Sequence, residues 1–356
     1  MTIPTKMKAM VLTGHGDMEK LEWHDDWPVP DIAEGEVLIR VLACGLNNTD
    51  VNTRTAWYSK GTQENTTGGA LEGADDDDAT WGGAPVTFPR IQGADVVGEV
   101  VAGPQKLIGK RVMIETWLRD WDDPMNMDKT GYYGSECDGG FAEYTKADAR
   151  NVHVIESDLS DAEIATFATS YVTAENMLNR ANVGFGDTVL IPGASGGVGG
   201  ALIQLANRRG ARTIAMASEP KHTEIARSNP ARILSRAPKG LKELLKDEKI
   251  TVVADVVGGE QWPVLIDLLE RGGRYTCAGA IAGPIVEMDL RTFYLRDLTF
   301  TGATIVPPGV FADLVGYIAR GEIKPMLAAT YPLRELHAAQ QAFIDKKHTG
   351  NIVVLP

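Results

Sequence analysis

The chain has 356 residues, of which 44% are hydrophobic and 23% charged, as in an ordinary globular protein. This length is enough for two domains with a large buried core. The formal net charge of -13 argues against nucleic acid or an anionic membrane as a partner. The three cysteines form no C-x-x-C pair and fit free thiols. With no signal segment and no stretch apolar for long enough to span a bilayer, a cytoplasmic protein is expected.

The first half of the chain predicts a mostly antiparallel, barrel-like domain. Its short apolar runs read as strands and are separated by glycine, proline and acidic turns. We expect strands at residues 8–12, 36–42, 95–101 and 111–114.

Two long loops interrupt these strands. Residues 59–89 include four adjacent aspartates at 75–78. Neighbouring side chains rarely converge on one metal ion, so a solvated acidic loop is the favoured interpretation. Residues 115–140 carry four aromatic side chains, which predict either a wall of a substrate pocket or packing within the loop. These are Trp117, Trp121, Tyr132 and Tyr133.

A strand, a glycine-rich turn and a helix follow one another near the middle of the chain. Residues 188–191 form a short apolar run, and residues 198–208 carry apolar side chains at the spacing of one helix face. The turn between them reads A-x-G-x-x-G. There, bare backbone N–H groups and the positive end of the helix can meet a diphosphate, which predicts a dinucleotide site. The expected cofactor-binding residues are Ala194, Ser195, Gly196, Gly197, Val198 and Gly199.

Strands and helices alternate after this turn. Such alternation predicts an α/β unit, a doubly wound parallel sheet with helices on both faces. The expected strands are residues 212–217, 233–234, 250–255 and 274–278, and the expected helices are residues 221–228, 241–247 and 262–269. The tail predicts helices at residues 311–320 and 334–345 and a closing strand at 352–355.

These strings resemble the medium-chain dehydrogenase/reductase superfamily over nearly the whole chain apart from the two loops. The resemblance implies a GroES-like domain at residues 1–159, completed by residues 306–356, and a Rossmann domain at residues 160–305. It places nicotinamide and substrate in the cleft between them. A match to the edge strand through which family members pair, at residues 298–305, implies a homodimer. The matching segments are residues 7–12, 35–41, 187–206, 255–258 and 348–353.

The same resemblance predicts that no zinc is bound. Zinc-dependent members carry a Cys-His pair where this sequence has Asn47 and Asn48, and a histidine where it has Ala94. Their third ligand, a cysteine, falls at Thr169. A catalytic zinc needs about three good donors, and these positions offer none of the expected ones. Only Cys137 lies in the region of the four-cysteine structural zinc lobe.

Without zinc, the chain resembles the quinone oxidoreductase and enoyl reductase branch. The resemblance implies that Asn47 lies beside the nicotinamide and the substrate carbonyl. It also implies that Tyr58 is a catalytic proton donor, and that Thr173 touches the nicotinamide. The alternatives are a turn residue for Asn47, aromatic packing for Tyr58 and a structural role for Thr173. Many quinone reductases have a tyrosine where this chain has Asn52.

The end of the second strand of the α/β unit predicts NADPH rather than NADH. NAD-binding proteins place an acid there to hold the ribose hydroxyl. Here Ser218 can donate a hydrogen bond to a 2′-phosphate and Lys221 can neutralise it, while Glu219 is expected to point outward. The resemblance adds Lys346, which matches a basic residue of the quinone reductases. A solvated Lys221 in a first helical turn is the alternative.

We therefore expect an NADPH-dependent, zinc-independent oxidoreductase that reduces an activated C=C bond of a small enone, enal or quinone. Asn47 and backbone N–H groups would stabilise the enolate, and Tyr58 or water would protonate the α-carbon. Two other functions stay open: a zinc-free alcohol dehydrogenase or carbonyl reductase, and a non-catalytic NADPH-binding protein.

Overall fold

The computed structural model describes residues 2–67, 69–70, 80–82, 84–236 and 240–356. Within these ranges the strands form two large sheets and two two-stranded ones. The acidic run at residues 75–78 lies outside them, so the solvated loop stays a prediction. No helix in the described ranges is long and apolar enough to cross a membrane.

The described residues of the N-terminal half form nine strands and one α-helix. The strands are β1 (Lys6–Leu12), β2 (Leu21–Pro28), β3 (Glu36–Gly45), β4 (Asp95–Ala102), β5 (Arg111–Ile114), β6 (Trp117–Arg119), β7 (Thr130–Tyr132), β8 (Tyr144–Asp148) and β9 (Val152–Val154). The helix α1 (Asn48–Arg54) follows β3. All four predicted strands are present, and β5 has the predicted bounds. The sequence analysis missed β2 because only its first residue, Leu21, is buried, which leaves a weak alternation.

The middle of the chain alternates between strands and helices, as predicted. The strands are β10 (Thr188–Ile191), β11 (Arg212–Ala217), β12 (Arg232–Ser235), β13 (Ile250–Asp255), β14 (Leu269–Cys277) and β15 (Thr299–Gly302). The helices are α2 (Asp161–Ile164), α3 (Ala168–Arg180), α4 (Gly197–Arg208), α5 (His222–Ile225), α6 (Leu241–Leu244), α7 (Trp262–Leu268) and α8 (Leu290–Tyr294).

These six strands form one parallel sheet in the order β12-β11-β10-β13-β14-β15. Both faces are covered: Val189 and Ile191 pack into one core and Leu190 into another. Burial on both faces explains why residues 188–191 are apolar without alternation. The predicted helix at 221–228 is α5 flanked by two 3-10 turns, and Asn229, with a φ of +58°, ends it.

The C-terminal segment returns to the first sheet. It consists of α9 (Val310–Ala319), β16 (Leu327–Pro332), α10 (Leu336–Ile344) and β17 (Asn351–Leu355). β17 pairs antiparallel with β3 and parallel with β16. The first large sheet therefore has the order β16-β17-β3-β4-β5-β9, with β8 also paired to β3, and it is mostly antiparallel.

Candidate active site in the interdomain cleft

The glycine-rich turn between β10 and α4 depends on two glycines for its shape. Gly193 has a φ of +69°, a conformation that L side chains rarely adopt. A methyl group on Gly199 would overlap the carbonyl oxygen of Gly193. The turn can be this tight only with glycine at both positions.

The surface in front of this turn is open at Gly196, which precedes α4. No side chain caps this end of the helix. Gly196 is exposed, and the first atom that a methyl group on it would meet lies 3.7 Å away. The positive dipole end of α4 thus lies beside an accessible surface at Gly196. This arrangement fits the diphosphate of a dinucleotide.

The six residues predicted to bind the cofactor divide into two groups. Ala194 and Gly199 are buried, and the Ala194 N–H donates to the Met216 carbonyl at 3.0 Å, so this pair shapes the turn. The other four are at least partly accessible at the mouth of the turn. They are Ser195, Gly196, Gly197 and Val198.

The C-terminal segment is docked onto the same turn. The Gly350 N–H donates to the Ser195 carbonyl at 2.9 Å. Asn351 Nδ2 donates to the Thr166 carbonyl at 2.5 Å and to Ser170 Oγ at 3.2 Å. A methyl group on Gly197 would overlap the side chains of Asn351 and Ser170. This close packing brings the residues before β17 next to the cofactor turn.

Basic side chains cluster beside the end of β11, where the cofactor ribose is expected. Lys221 Nζ donates to the Lys346 carbonyl at 2.6 Å, and Lys346 Nζ donates to Asn48 Oδ1 at 2.8 Å. His348 and Arg236 are close enough for their charges to interact with these lysines. We name the residues Lys221, Arg236, Lys346 and His348 the basic cluster.

Burial and the repulsion of neighbouring cations lower the pKa values of Lys221, Lys346 and His348. Burial, followed by the charge of Lys221, lowers the pKa of Lys346 to about 7. Burial, followed by Lys346 and Lys221, lowers the pKa of His348 to about 4. An anion among these groups would relieve the repulsion, so the cluster fits a phosphate.

The loop after β11 carries the two other residues that were considered near the ribose, and the role of Ser218 stays a prediction. Ser218 is partly accessible and directly precedes the 3-10 turn that contains Lys221. Glu219 is exposed, so its carboxylate can be solvated.

Two positions that were matched to zinc ligands, Asn47 and Thr169, lie beside the buried Asp95. Asn47 directly precedes α1, and Asp95 begins β4 opposite Gly45 of β3. Thr169 lies in the first turn of α3, and its N–H donates to Asp95 Oδ1 at 2.9 Å. The β3–β4 pairing and the start of α3 therefore bring these three positions together.

Asp95 has a buried carboxyl group whose Oδ1 accepts hydrogen bonds from Thr169. The Thr169 hydroxyl also donates to Oδ1. The Asn47 amide also interacts with this carboxyl group and lowers its pKa, and Asn47 Nδ2 and Asp95 Oδ2 have no other hydrogen-bond partner among the described residues. Burial outweighs these contacts and raises the pKa of Asp95 to about 6.

A second buried acid, Asp50, lies beside the first. Its carboxylate accepts a 2.8 Å hydrogen bond from the Asn47 N–H and so caps α1. Burial, with the nearby charge of Asp95 adding, raises the pKa of Asp50 to about 7. Burial, followed by both aspartates, raises the pKa of the Cys44 thiol well above its usual range. Cys44 is therefore a neutral, apolar neighbour of the site.

Tyr132 reaches this cluster from the aromatic loop. Its hydroxyl lies 2.6 Å from Thr169 Oγ1 and also hydrogen-bonds with Thr49. The ring packs edge-on against Trp117, with 5.3 Å between ring centroids. Burial raises the pKa of Tyr132 well above its usual range. The loop thus supplies a wall of the cluster, one of the two roles expected from its aromatic residues.

Tyr58 lies farther along the chain from α1 and is half-buried. Burial raises its pKa to about 12, and a hydrogen bond with Asn52 partly opposes this. Its ring contacts Trp57 at 5.8 Å. Tyr58 is close to Asp50 but is not linked to Asp95 or Thr169 by any contact found among the described residues. Its catalytic role stays a prediction.

Thr173 lies one helical turn after Thr169 in α3, so the two side chains share a face of the helix. It is partly accessible. A contact with nicotinamide stays a prediction.

The donor set is unlike that of a metal centre. Within the described ranges, no three His, Cys, Asp or Glu side chains are grouped so that they could hold a metal ion. The positions matched to zinc ligands carry an amide, a methyl and a hydroxyl group, at Asn47, Ala94 and Thr169. Zinc independence stays a prediction.

Part of the long loop spans the cleft. The Thr66 N–H donates to the Ile281 carbonyl beyond β14 at 3.2 Å, and Trp81 Nε1 donates to Glu136 Oε1 at 3.0 Å. A cavity of about 430 Å³ lies elsewhere, beside Arg90 and Cys137. Asn47, Asp95 and Tyr132 do not line it.

The sequence analysis missed the roles of Asp95, Thr49 and His348. Asp95 stood within a string compared only for zinc ligands, and Tyr132 was assigned no more than a wall. The zinc-ligand positions could have indicated these roles. Where all three ligands are replaced, the buried polar side chains beside them need other partners.

Two family models match the chain. "Alcohol dehydrogenase GroES-like domain" matches residues 33–157, and "Zinc-binding dehydrogenase" matches residues 197–320. The crystal structure of a putative alcohol dehydrogenase from Sinorhizobium meliloti 1021 is 43% identical, covers 99% of this chain and 98% of its own, and superposes with a TM-score of 0.92. The chain belongs to the medium-chain dehydrogenase/reductase superfamily. It has the GroES-like and Rossmann domains of that superfamily, as predicted.

Two curated relatives have names that describe reductions. Acryloyl-coenzyme A reductase of Metallosphaera sedula is 25% identical over 98% of this chain and 99% of its own. The chloroplastic NADPH-dependent alkenal/one oxidoreductase of Arabidopsis thaliana is 26% identical over 100% of this chain and 81% of its own. The chain is thus an oxidoreductase of this superfamily, whose members use NAD(P)H, rather than a non-catalytic binding protein.

Proposed function

We propose that this protein uses NADPH to reduce the C=C bond of a small α,β-unsaturated carbonyl compound or quinone, without zinc. The observation that carries the proposal is the buried polar cluster, in which amide and hydroxyl groups stand where zinc-dependent members have metal ligands. Polarisation of a substrate carbonyl then falls to hydrogen-bond donors.

Cofactor binding is assigned to three parts of the cleft. The open start of α4 at Gly196 would hold the diphosphate. The basic cluster, together with Ser218, would hold a 2′-phosphate, which NADH lacks. Thr173 would lie against the nicotinamide. The bound reduced dinucleotide supplies a hydride to the β-carbon of the substrate.

The chain's own residues would complete the reaction. The buried Asn47 amide, whose Nδ2 has no partner besides the Asp95 carboxyl among the described residues, would hold the carbonyl oxygen, on which negative charge develops. A tyrosine hydroxyl at the cleft would return a proton to the α-carbon. Tyr58 was predicted for this step. The described part of the long loop, which reaches Ile281, would help to exclude water.

Both relatives with reductase names support a conjugated C=C bond as the target, since an acryloyl thioester and an alkenal or alkenone carry one. A second candidate is carbonyl reduction, because the 43% identical structure is described as a putative alcohol dehydrogenase.

Reduction of cinnamaldehyde tests the proposal. The saturated aldehyde is expected as the product, formed with NADPH and unaffected by dialysis against a chelator. Cinnamyl alcohol as the sole product would instead establish the second candidate. Asn47→Ala is expected to lower kcat roughly 100-fold. The matched control is Asn126→Ala, which removes another capping asparagine on an exposed 3-10 turn.

We also propose a homodimer formed through β15. This strand lies at the edge of the parallel sheet and has an exposed first residue, Thr299. Exposed apolar side chains precede it in the chain, at Ile285, Leu290, Tyr294 and Leu295. Light scattering on the purified protein measures the state directly.

A further inference from the structure

Three groups form a continuous hydrogen-bonded chain into the interior. Asp95 Oδ1 accepts from both the N–H and the hydroxyl of Thr169, and Thr169 Oγ1 lies 2.6 Å from the Tyr132 hydroxyl. The carboxyl group of Asp95 is 1% exposed, so the chain starts at a group shielded from water. A proton can pass along such a chain by successive transfers between neighbouring oxygens.

The inner part of this chain abuts the cofactor turn. Thr169 is followed by Ser170, whose hydroxyl lies 3.2 Å from Asn351 Nδ2 and would be overlapped by a methyl group on Gly197. The helix α3, which carries Thr169, is therefore packed against the start of α4, the part assigned to the diphosphate.

The outer part ends among buried polar atoms that have few hydrogen-bond partners. Tyr132 contacts Thr49, and Thr49 lies two residues after Asn47. Asn47 Nδ2, Thr49 Oγ1 and Asp95 Oδ2 are buried, and apart from the contacts of Asn47 with Asp95 and of Thr49 with Tyr132 they have no hydrogen-bond partner among the described residues. Buried polar atoms of native proteins are nearly always paired, so this group of atoms marks a place for a polar ligand.

We propose that Asp95, Thr169 and Tyr132 form a proton relay that supplies the proton needed to complete reduction of the substrate. The inference rests on the proposed function. The nicotinamide dinucleotide is the reductant and gives two electrons as hydride to the β-carbon. The Tyr132 O–H bond then breaks as the α-carbon–H bond forms. Thr169 passes its proton to Tyr132, and Asp95 passes its proton to Thr169. The Asp95 carboxylate then regains a proton through Tyr132 and Thr169, from water that enters the cleft after the product leaves.

The direction of the hydrogen bonds depends on the charge of Asp95. An ionised carboxylate only accepts, so the Thr169 and Tyr132 hydroxyl groups then point inward. A neutral carboxyl group can donate to Thr169, which turns both hydroxyl groups outward and makes Tyr132 a donor to the substrate. One buried proton therefore decides whether the outer end presents a donor or an acceptor.

The surroundings favour the neutral carboxyl group. In the part of the chain that the structure describes, the ionisable groups that interact with Asp95 are Asp50 on α1, Cys44 on β3 and Tyr132 on β7, and none of these three is a cation. Asp50 and Cys44 are themselves kept neutral to higher pH by burial. Tyr58 is not hydrogen-bonded to an acid that could resupply its proton, because its hydrogen-bond partner is the Asn52 amide.

The first test needs neither cofactor nor substrate. Infrared titration of the protonated carboxyl band, assigned with Asp95→Asn, is expected to give a pKa near 6 for Asp95. Thr169→Val removes a bond that stabilises the carboxylate and should raise this pKa, whereas Thr169→Ser should leave it in place. Tyr133 and Thr145 form a matched pair of buried hydroxyl groups 2.5 Å apart outside the cluster. Thr145→Val should therefore not move the band. An unchanged band in Thr169→Val overturns the relay.

The second test uses turnover with NADPH and an enone. Tyr132→Phe and Thr169→Val are expected to lower kcat at least 100-fold, to abolish the decline in kcat on the alkaline side of the Asp95 pKa and to leave the KM for NADPH in place. Thr169→Ser should restore both kcat and the decline. The controls Tyr133→Phe and Thr145→Val should keep kcat within about 3-fold. A Tyr132→Phe variant as active as Tyr133→Phe, or loss of activity only in Tyr58→Phe, overturns the relay.

The two proposals fail separately. A protein that reduces carbonyl groups but no enone would contradict the proposed function. The same variants assayed on a carbonyl substrate would then decide the relay, because its proton would go to oxygen instead of carbon.

Discussion

Lys346 Nζ donates a 2.8 Å hydrogen bond to Asn48 Oδ1. This bond joins the segment before β17 to α1, and Lys221 binds the carbonyl of the same lysine. Two cations are thus held together with no carboxylate bonded to either ammonium group within the described residues. Since a protein gains nothing from crowding two cations, we interpret the arrangement as preparation for an anionic ligand.

Removal of the Lys346 charge is expected to weaken NADPH binding while leaving NADH binding nearly unchanged. A hydrogen bond to a charged group contributes about 1.5–3 kcal/mol, so Lys346→Met should raise the Kd for NADPH roughly 10-fold to 100-fold. Fluorescence titration of both cofactors measures this. Lys242→Met, which breaks a surface ion pair with Asp267, serves as the control. Equal weakening of NADH and NADPH would contradict a phosphate site.

NADPH binding should also depend on pH. Because the pKa of Lys346 is lowered to about 7, the free protein loses this positive charge as the pH rises through 7. A bound phosphate favours the charged form, so binding above pH 7 takes up a proton and weakens as the pH rises towards 9. Calorimetry in buffers of different ionisation enthalpy measures the uptake. The uptake should vanish in Lys346→Met and with NADH, and its persistence in either case would assign it elsewhere.

The sequence predicted the parallel sheet well, for a physical reason. Its strands are buried on both faces, so runs such as residues 188–191 are apolar throughout, and the helix after them has a clear apolar face. β2 and the one-turn helices carry no comparable signal. They form because the neighbouring elements pair with them, which local periodicity does not encode.

The candidate site was predictable only in part. The zinc-ligand positions and the basic residues Lys221 and Lys346 lie in recognisable strings. Two hydrogen bonds connect Asp95 with Thr169 and Thr169 with Tyr132. They join residues that are 74 and 37 positions apart in sequence. Nothing in the sequence alone pairs an aspartate of β4 with a tyrosine at the end of β7, because their contact depends on how α3 packs.

The buried acid Asp50 should make the protein less stable as the pH rises. Its pKa is raised from the ordinary value near 4 to about 7 in the folded state, so the folded protein holds a proton that the unfolded chain releases. The free energy of unfolding should fall between about pH 4 and pH 7, by up to roughly 4 kcal/mol. Urea unfolding across this range measures the change. Asp50→Asn should reduce the fall and leave the part that is due to Asp95, and stability that rises with pH in both proteins would show that Asp50 is ionised throughout.

Two adjacent glycines separate the needs of folding from those of cofactor binding. Gly197→Ala places a methyl group on the side chains of Asn351 and Ser170, which are both buried, and should lower the free energy of unfolding by about 1–3 kcal/mol. Gly196→Ala meets no atom within 3.7 Å and has an ordinary negative φ, so stability should be unchanged. Its methyl group would instead occupy the space assigned to the diphosphate. Thermal unfolding and cofactor titration of both variants measure the two effects, and normal NADPH binding by Gly196→Ala would move the diphosphate away from this helix end.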